Sequence, residues 1–191
     1  MKAKIGFAMC GSFCTLKKSI EQMRLLRKNN FDIVPIMSFN AYSTNTRFGK
    51  ATDIIDEIES ICQKHIIHSI ADAEPIGPKA MTDLMLIAPC TGNTLAKLSF
   101  AITDTPVTMA VKSHLRQQKP LLIAIATNDA LGTSAQNIGR MLNVKHVYFV
   151  PMSQDDSNNK PNSIVSHFDM ILPAVEAALR GKQIQPIITT V

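Results

Sequence analysis

Three short segments of this chain are almost wholly apolar: residues 4–9 (KIGFAM), 84–88 (LMLIA) and 121–126 (LLIAIA). Each ends at small, polar or turn-forming residues, so each reads as a strand that must be covered on both faces. Amphipathic stretches follow them. In residues 16–30, Leu16, Ile20, Met23, Leu25 and Leu26 recur near a 3.6 period between charged residues, and in residues 51–63, Ile54, Ile55, Ile58 and Ile61 do the same. Strands alternating with such helices predict an α/β fold: a doubly wound, mostly parallel sheet flanked by helices, a three-layer sandwich of the Rossmann or flavodoxin type.

The remaining segments fit that frame. Residues 31–37 read as a strand, with Pro35 placing it at an edge or terminus because proline brings no ladder donor. Residues 38–49 read as a polar loop, 65–70 as a short strand or extended piece, and the stretch holding Pro75, Gly77 and Pro78 as a loop. Helices are expected over 94–102, 107–117, 134–142 and 170–179, with a last strand over 147–150 and a polar loop over 155–162. The tail after Gly181 is expected to be irregular or to pack on a neighbour. The 191 residues suit one domain, residues 1–191, with a core over about 4–150 and a C-terminal helix and tail over 163–191.

Composition excludes several classes. A hydrophobic fraction of 46% with 18% charged residues excludes disorder. The apolar stretch near the start is too short for a secretory signal, and no run approaches a membrane span, so a cytoplasmic address is expected. The net charge of +5 is spread over Lys17, Lys18, Arg24, Arg27, Lys28, Lys112, His114, Arg116 and Lys119 at helix-surface spacing, without interleaved aromatic residues. That pattern excludes a nucleic-acid surface and leaves attraction of an anionic substrate or acidic partner. Cys10, Cys14, Cys62 and Cys90 match no disulfide framework or zinc spacing. His65 and His68 would face opposite sides of a strand, so no metal site is expected.

In a parallel sheet, ligands sit beyond the carboxyl ends of the strands. The turns expected there are Gly11-Ser12, Ser38, the run Pro89-Cys90-Thr91-Gly92-Asn93-Thr94, and Thr127-Asn128. Gly11 permits a tight turn, and Ser12 offers a hydroxyl and a backbone N–H near a helix start, where anions are favoured. Small residues in the Pro89 run let backbone amides approach a planar ring or a phosphate.

The run Ala88-Pro89-Cys90-Thr91-Gly92-Asn93-Thr94-Leu95-Ala96-Lys97-Leu98 resembles the Pro-Ala-Ser-Ala-Asn-Thr-Ile-Ala-Lys motif of the homo-oligomeric flavin-containing decarboxylases and the related flavin prenyltransferases. Gly11-Ser12 is similar to their first-strand Gly-Ser, and Ala126-Thr127-Asn128 with Asn137 to their Pro-x-Met-Asn segment, Thr127 standing for Met. The resemblance covers residues 4–150 and implies bound FMN. Gly11, Ser12, Ser38, Pro89, Thr91, Gly92, Asn93, Thr94 and Thr127 would hold it, with Ser12 and Ser38 at the phosphate. Asn128 would face substrate, and Cys90 is a candidate thiol facing the flavin.

Over the whole length the resemblance is to an oxidoreductase component within that family. It implies a dehydrogenase-like partner carrying NAD(P). It also implies oxidation of a dihydro- or hydroxytetrahydrodipicolinate to dipicolinate in the mother cell of a sporulating bacterium, and a trimeric or dodecameric homo-oligomer. Lys112, His114 and Arg116 are the candidate partners for the substrate's two carboxylates. Where the decarboxylases carry a histidine, this chain has Pro75, so decarboxylation or prenyl transfer is the alternative, and a non-catalytic flavin-binding scaffold is another.

Overall fold

The computed structural model describes residues 3–190. Strands β1 (Lys4–Met9), β3 (Leu84–Cys90) and β4 (Leu121–Thr127) lie side by side and parallel, with β2 (Asp32–Met37) outside β1. Alternate residues of each central strand face opposite layers, the period-2 geometry of an extended chain. Ile5, Phe7, Met9, Leu84, Leu86, Leu122 and Ala124 enter one apolar layer under α1 (Leu16–Lys28), α3 (Ala51–Cys62) and α8 (Ile171–Leu179). Ala8, Met85, Ile87, Leu121, Ile123 and Ile125 enter the other, under α5 (Gly92–Ser99), α6 (Pro106–Leu115) and α7 (Ala135–Leu142). The three central strands are therefore covered on both faces, as their apolar sequences require. Among the described residues no helix is long and apolar enough to cross a membrane.

Several local expectations are corrected. The polar loop after β2 contains a short helix, α2 (Phe39–Ser43), because Ser38 caps it, its hydroxyl accepting from the Ala41 amide at 3.3 Å. Of the two readings of residues 65–70, the extended piece holds and the strand does not: Ile67 makes a single bridge to the outer edge of β2, its amide donating to the Pro35 carbonyl at 2.9 Å. Pro35 thus turns its donor-less nitrogen outward on an edge strand, where the missing bond costs the ladder nothing. Before and within the proline stretch lie α4 (Ile70–Ala73) and a 3₁₀ turn, Glu74–Ile76, whose buried Ile76 packs in the same layer as α6. Gly77 lies so close to α6 that an added Cβ would fall 2.1 Å from the Ser113 carbonyl oxygen.

Residues 147–150 do not end the sheet. β5 (Val147–Phe149) pairs with the first half of the free edge of β4. Two further strands, β6 (Met152–Ser153) and β7 (Ile164–Ser166), form an antiparallel addition, β7 pairing with Ala126 and Thr127 at the end of β4. These pieces are too short to announce themselves by periodicity. The tail packs on its own chain: Met152 donates to the Ile187 carbonyl at 2.8 Å, and Thr189 returns a bond to the Met152 carbonyl at 3.0 Å.

His114, expected to serve a ligand, is a core residue of α6. It is 1% exposed, with Nε2 donating to the Pro120 carbonyl at 3.0 Å and Nδ1 accepting from the Thr82 hydroxyl at 2.8 Å. Burial is the main cause that lowers its pKa from 6.5 to about 4, so the imidazole stays neutral in the fold. The unfolded chain binds that proton more readily. Stability is therefore full above pH 6.5 and falls as pH drops toward 4, by up to about 3 kcal/mol from this group. Urea denaturation of wild type between pH 4 and 7 should show that loss, and His114→Gln should flatten the slope over the same window.

Candidate functional site

The carboxyl ends of β1, β3 and β4 stop at one edge of the sheet, and hydrogen bonds join the ends of β1, β2 and β3 there. The Cys10 amide donates to the Pro89 carbonyl at 3.2 Å, the Ser38 amide to the Met9 carbonyl at 2.9 Å, and the Thr94 hydroxyl to Cys10 Sγ at 3.2 Å. Above these turns opens a cavity of about 680 Å³, walled by the segment Gly11 to Thr15, by Thr91, by residues 126–129, and by Lys18, Arg47, Phe48, Asp155, Lys160 and Val165. That volume is of the size that takes a cofactor or small substrate.

The first wall is the turn that leads into α1. Phe13 and Cys14 open the 3₁₀ turn Phe13–Thr15 ahead of α1, so their amides have no acceptor within the turn. The Thr15 hydroxyl donates to the Ser12 carbonyl at 2.9 Å and fixes the turn. A phosphate would meet these amides, the Ser12 hydroxyl and the positive end of the helix.

The second wall differs from the sequence expectation. β3 runs on through Pro89 to Cys90, and α5 begins at Gly92, so the turn between them is Thr91 alone. Thr91 caps the helix, accepting from the Thr94 amide at 3.3 Å. Thr94 is buried, and Asn93 lies exposed in the first turn of α5. Cys90 is fully buried, its thiol directed at the Thr91 carbonyl and pushed well up in pKa by burial; Cys10 beside it is raised to about 11 for the same reason. The expectation that the Cys90 thiol faces the cavity is corrected: both thiols are protonated core groups. Pro89 likewise sits within the strand, joined to Ala88 by a cis peptide.

The third wall carries a knot that gives no sign in the sequence. Asp129 accepts from the Thr127 hydroxyl on one oxygen, and on the other from Thr133 (3.2 Å) and Ser134 (2.9 Å). The Thr127 bond, chiefly, holds the Asp129 carboxyl below the usual range. Gly92 makes room for the knot: an added Cβ would lie 2.8 Å from Asp129 Oδ1 and from Thr127 Oγ1, and 2.9 Å from Ser134 Oγ. Gly92 therefore serves packing between two turns and does not itself line the cavity. Asn128 is exposed on the wall, its Oδ1 accepting weakly from Ser163 at 3.4 Å.

Of the expected site residues, Gly11, Ser12, Thr91, Thr127 and Asn128 line the cavity together. Ser38 does not line the cavity; it caps α2, whose Asn40 Cβ would be 3.7 Å from a Cβ on Gly11. Lys112 and Arg116 are elsewhere, at the edge of an apolar groove of about 410 Å³ between α5, α6 and α7. The cations on the cavity are instead Lys18, Arg47 and Lys160. Lys18 follows Cys14 by one helical turn, a spacing visible in the sequence; Arg47 and Lys160 arrive from distant loops and leave no local signal. His65 and His68 are also explained: His65 pairs with Glu59 at 3.1 Å, and His68 stacks on Tyr42.

The model of the family described as Flavoprotein matches residues 1–174, which span the sheet and all the walls described. The chain belongs to that family. It is 42% identical to the B subunit of dipicolinate synthase from Bacillus subtilis (strain 168) over 185 residues, 97% of this chain and 92% of that protein. The crystal structure of the dipicolinate synthase B subunit from Bacillus halodurans C superposes with a TM-score of 0.91 at 40% identity, covering 99% of this chain and 97% of the other. Burkholderia xenovorans DmrB, solved in complex with FMN and described as a cubic protein cage for redox transfer, shares the fold at 19% identity and a TM-score of 0.68, covering 93% and 96%. The family read from the Gly11 turn and the Pro89 run is thus the family the chain has.

The knot makes a sharp prediction. Gly92→Ala should lower the unfolding free energy by about 1–3 kcal/mol, because side-chain oxygens held in one hydrogen-bonded cluster must give way together. Gly139→Ala, inside α7 with nothing within 4 Å of an added Cβ, should be neutral or stabilising by up to about 1 kcal/mol. Paired urea titrations of the two variants test this.

Proposed function

We propose that this chain is the flavin-binding component of a dipicolinate-forming oxidoreductase. It would act in the cytoplasm with a dehydrogenase-like NAD(P) partner on dihydrodipicolinate or hydroxytetrahydrodipicolinate. The observation that carries the reading is the convergence of three strand ends on one cavity with an anion-binding turn at one side. Kinship at 40–42% identity to the B subunits of dipicolinate synthase supplies the substrate class.

The residues fit FMN. The Phe13 and Cys14 amides with Ser12 would hold the phosphate, while Thr91 and Thr127 would contact the ribitol and ring. Bound FMN would supply a two-electron acceptor for the hydride lost when the six-membered ring becomes aromatic. The chain's own part is then positioning. Asn128 presents an amide to the substrate from a turn that Asp129 keeps rigid. Asp129 itself, saturated with hydroxyl donors and held ionised, is a poor proton acceptor; the buried Cys10 and Cys90 thiols are out of reach. These observations favour a base on the partner protein, and they give the scaffold reading its support. Decarboxylation or prenyl transfer is disfavoured by Pro75, which supplies no imidazole and lies in the turn packed on α6.

Self-assembly is part of the reading. Phe100, Ile102, Leu142 and Val144 stand 43–56% exposed at the ends of α5 and α7, a surplus of apolar surface for one copy.

The reading is tested by titrating FMN into purified protein: saturable quenching of flavin fluorescence is expected, and its absence at high FMN would overturn the cofactor assignment. With the partner protein and substrate, dipicolinate absorbance should grow. Asn128→Ala should reduce kcat by about tenfold or more with little change in FMN quenching. Full activity in that variant would favour the scaffold.

A further inference from the structure

The charges around the cavity do not cancel, and what is left over has a pattern. Two carboxylates line it. Asp129 is occupied by three hydroxyl donors, and Asp155 is paired with Lys160 at 3.4 Å. Lys160 is thereby neutralised. Lys18 and Arg47, on the same cavity, are paired with no carboxylate among the described residues. They come from different parts of the chain, Lys18 from the first turn of α1 and Arg47 from the 46–49 turn that follows α2. Arg47 is steadied by Phe48, its Cζ standing 4.9 Å from the ring centroid.

On the reading above, the amides at the start of the 3₁₀ turn are assigned to the FMN phosphate. Two unpaired cations remain on the same cavity. Both side chains line one cavity from different elements, so a ligand carrying two anionic groups there would meet a cation at each. An aromatic or dihydroaromatic ring between the two carboxylates would also meet the exposed Phe48. We propose that Lys18 and Arg47 are the specificity-determining pair for a planar heterocyclic dicarboxylate, one cation to each carboxylate. This rests on the dipicolinate-forming reading above, but it concerns residues that reading does not use and the family motif does not contain.

The probe is dipicolinate itself, titrated calorimetrically into the FMN-saturated protein, with pyridine-2-carboxylate as the one-carboxylate comparison. Wild type should prefer dipicolinate, with affinity falling as salt rises. Lys18→Gln and Arg47→Gln should each weaken dipicolinate by about tenfold or more, and should affect pyridine-2-carboxylate less, so that the preference narrows. FMN quenching, measured on the same preparations, should change little. Unchanged dipicolinate affinity in both variants overturns the proposal. So does weakened FMN quenching with dipicolinate unaffected, which would assign both cations to the phosphate. Failure of wild type to bind dipicolinate where FMN quenching saturates overturns it too. If instead FMN fails to bind while the variants still lose dipicolinate, the cofactor assignment falls and the cation pair stands.

Discussion

The structure depends on the need of β1, β3 and β4 to bury both faces at once. A strand that is apolar on both sides can be satisfied only between two layers of helices, and parallel pairing follows because every return path runs through a helix. Parallel strands must then all end at the same edge. The polar turns that follow them, which could not be buried in either layer, are delivered to one place. The cavity is a consequence of that geometry before any side chain is chosen for chemistry.

What the side chains add is rigidity. The turns after β1 and β3 are joined by the Cys10 amide and the Thr94 hydroxyl, and those after β3 and β4 by the fit of Gly92 against the Asp129 knot. Each contact is modest alone, but together they leave the walls little freedom to move independently. The antiparallel addition of β7 to the end of β4 extends the sheet beside the cavity, so that Val165 joins its wall. A preorganised cavity loses less entropy on binding than a mobile one.

Electrostatics divide the site into parts. The acids on its walls are internally partnered, whereas the helix-start amides, Lys18 and Arg47 are not. A basic chain can owe much of its charge to solvated surface, as Lys17, Lys28 and Lys112 on helices do here. It is the few cations without counter-ions beside a cavity that bear on recognition. Lys112 and Arg116 show the contrast: their spacing looked suitable, yet α6 carries them to another face of the molecule.

The sequence by itself determined the fold class, the apolar strands, most helices and the Gly11, Thr91 and Asn128 turns, because these depend on local periodicity and on turn residues that act over three or four positions. Pro35 even announced its edge strand. Only the tertiary structure decided the rest. The two-residue β6 is stabilised by pairing with β7 and the tail, not by its own propensity. Whether Cys90 faced a ligand or the core turned on β3 running two residues beyond Ala88. The Asp129 knot, the seat of Gly92 and the placing of Lys18 and Arg47 on one cavity join residues that are remote in the chain or distinguished only by which direction a turn points. Chain separation carries no trace of such proximity; packing alone creates it.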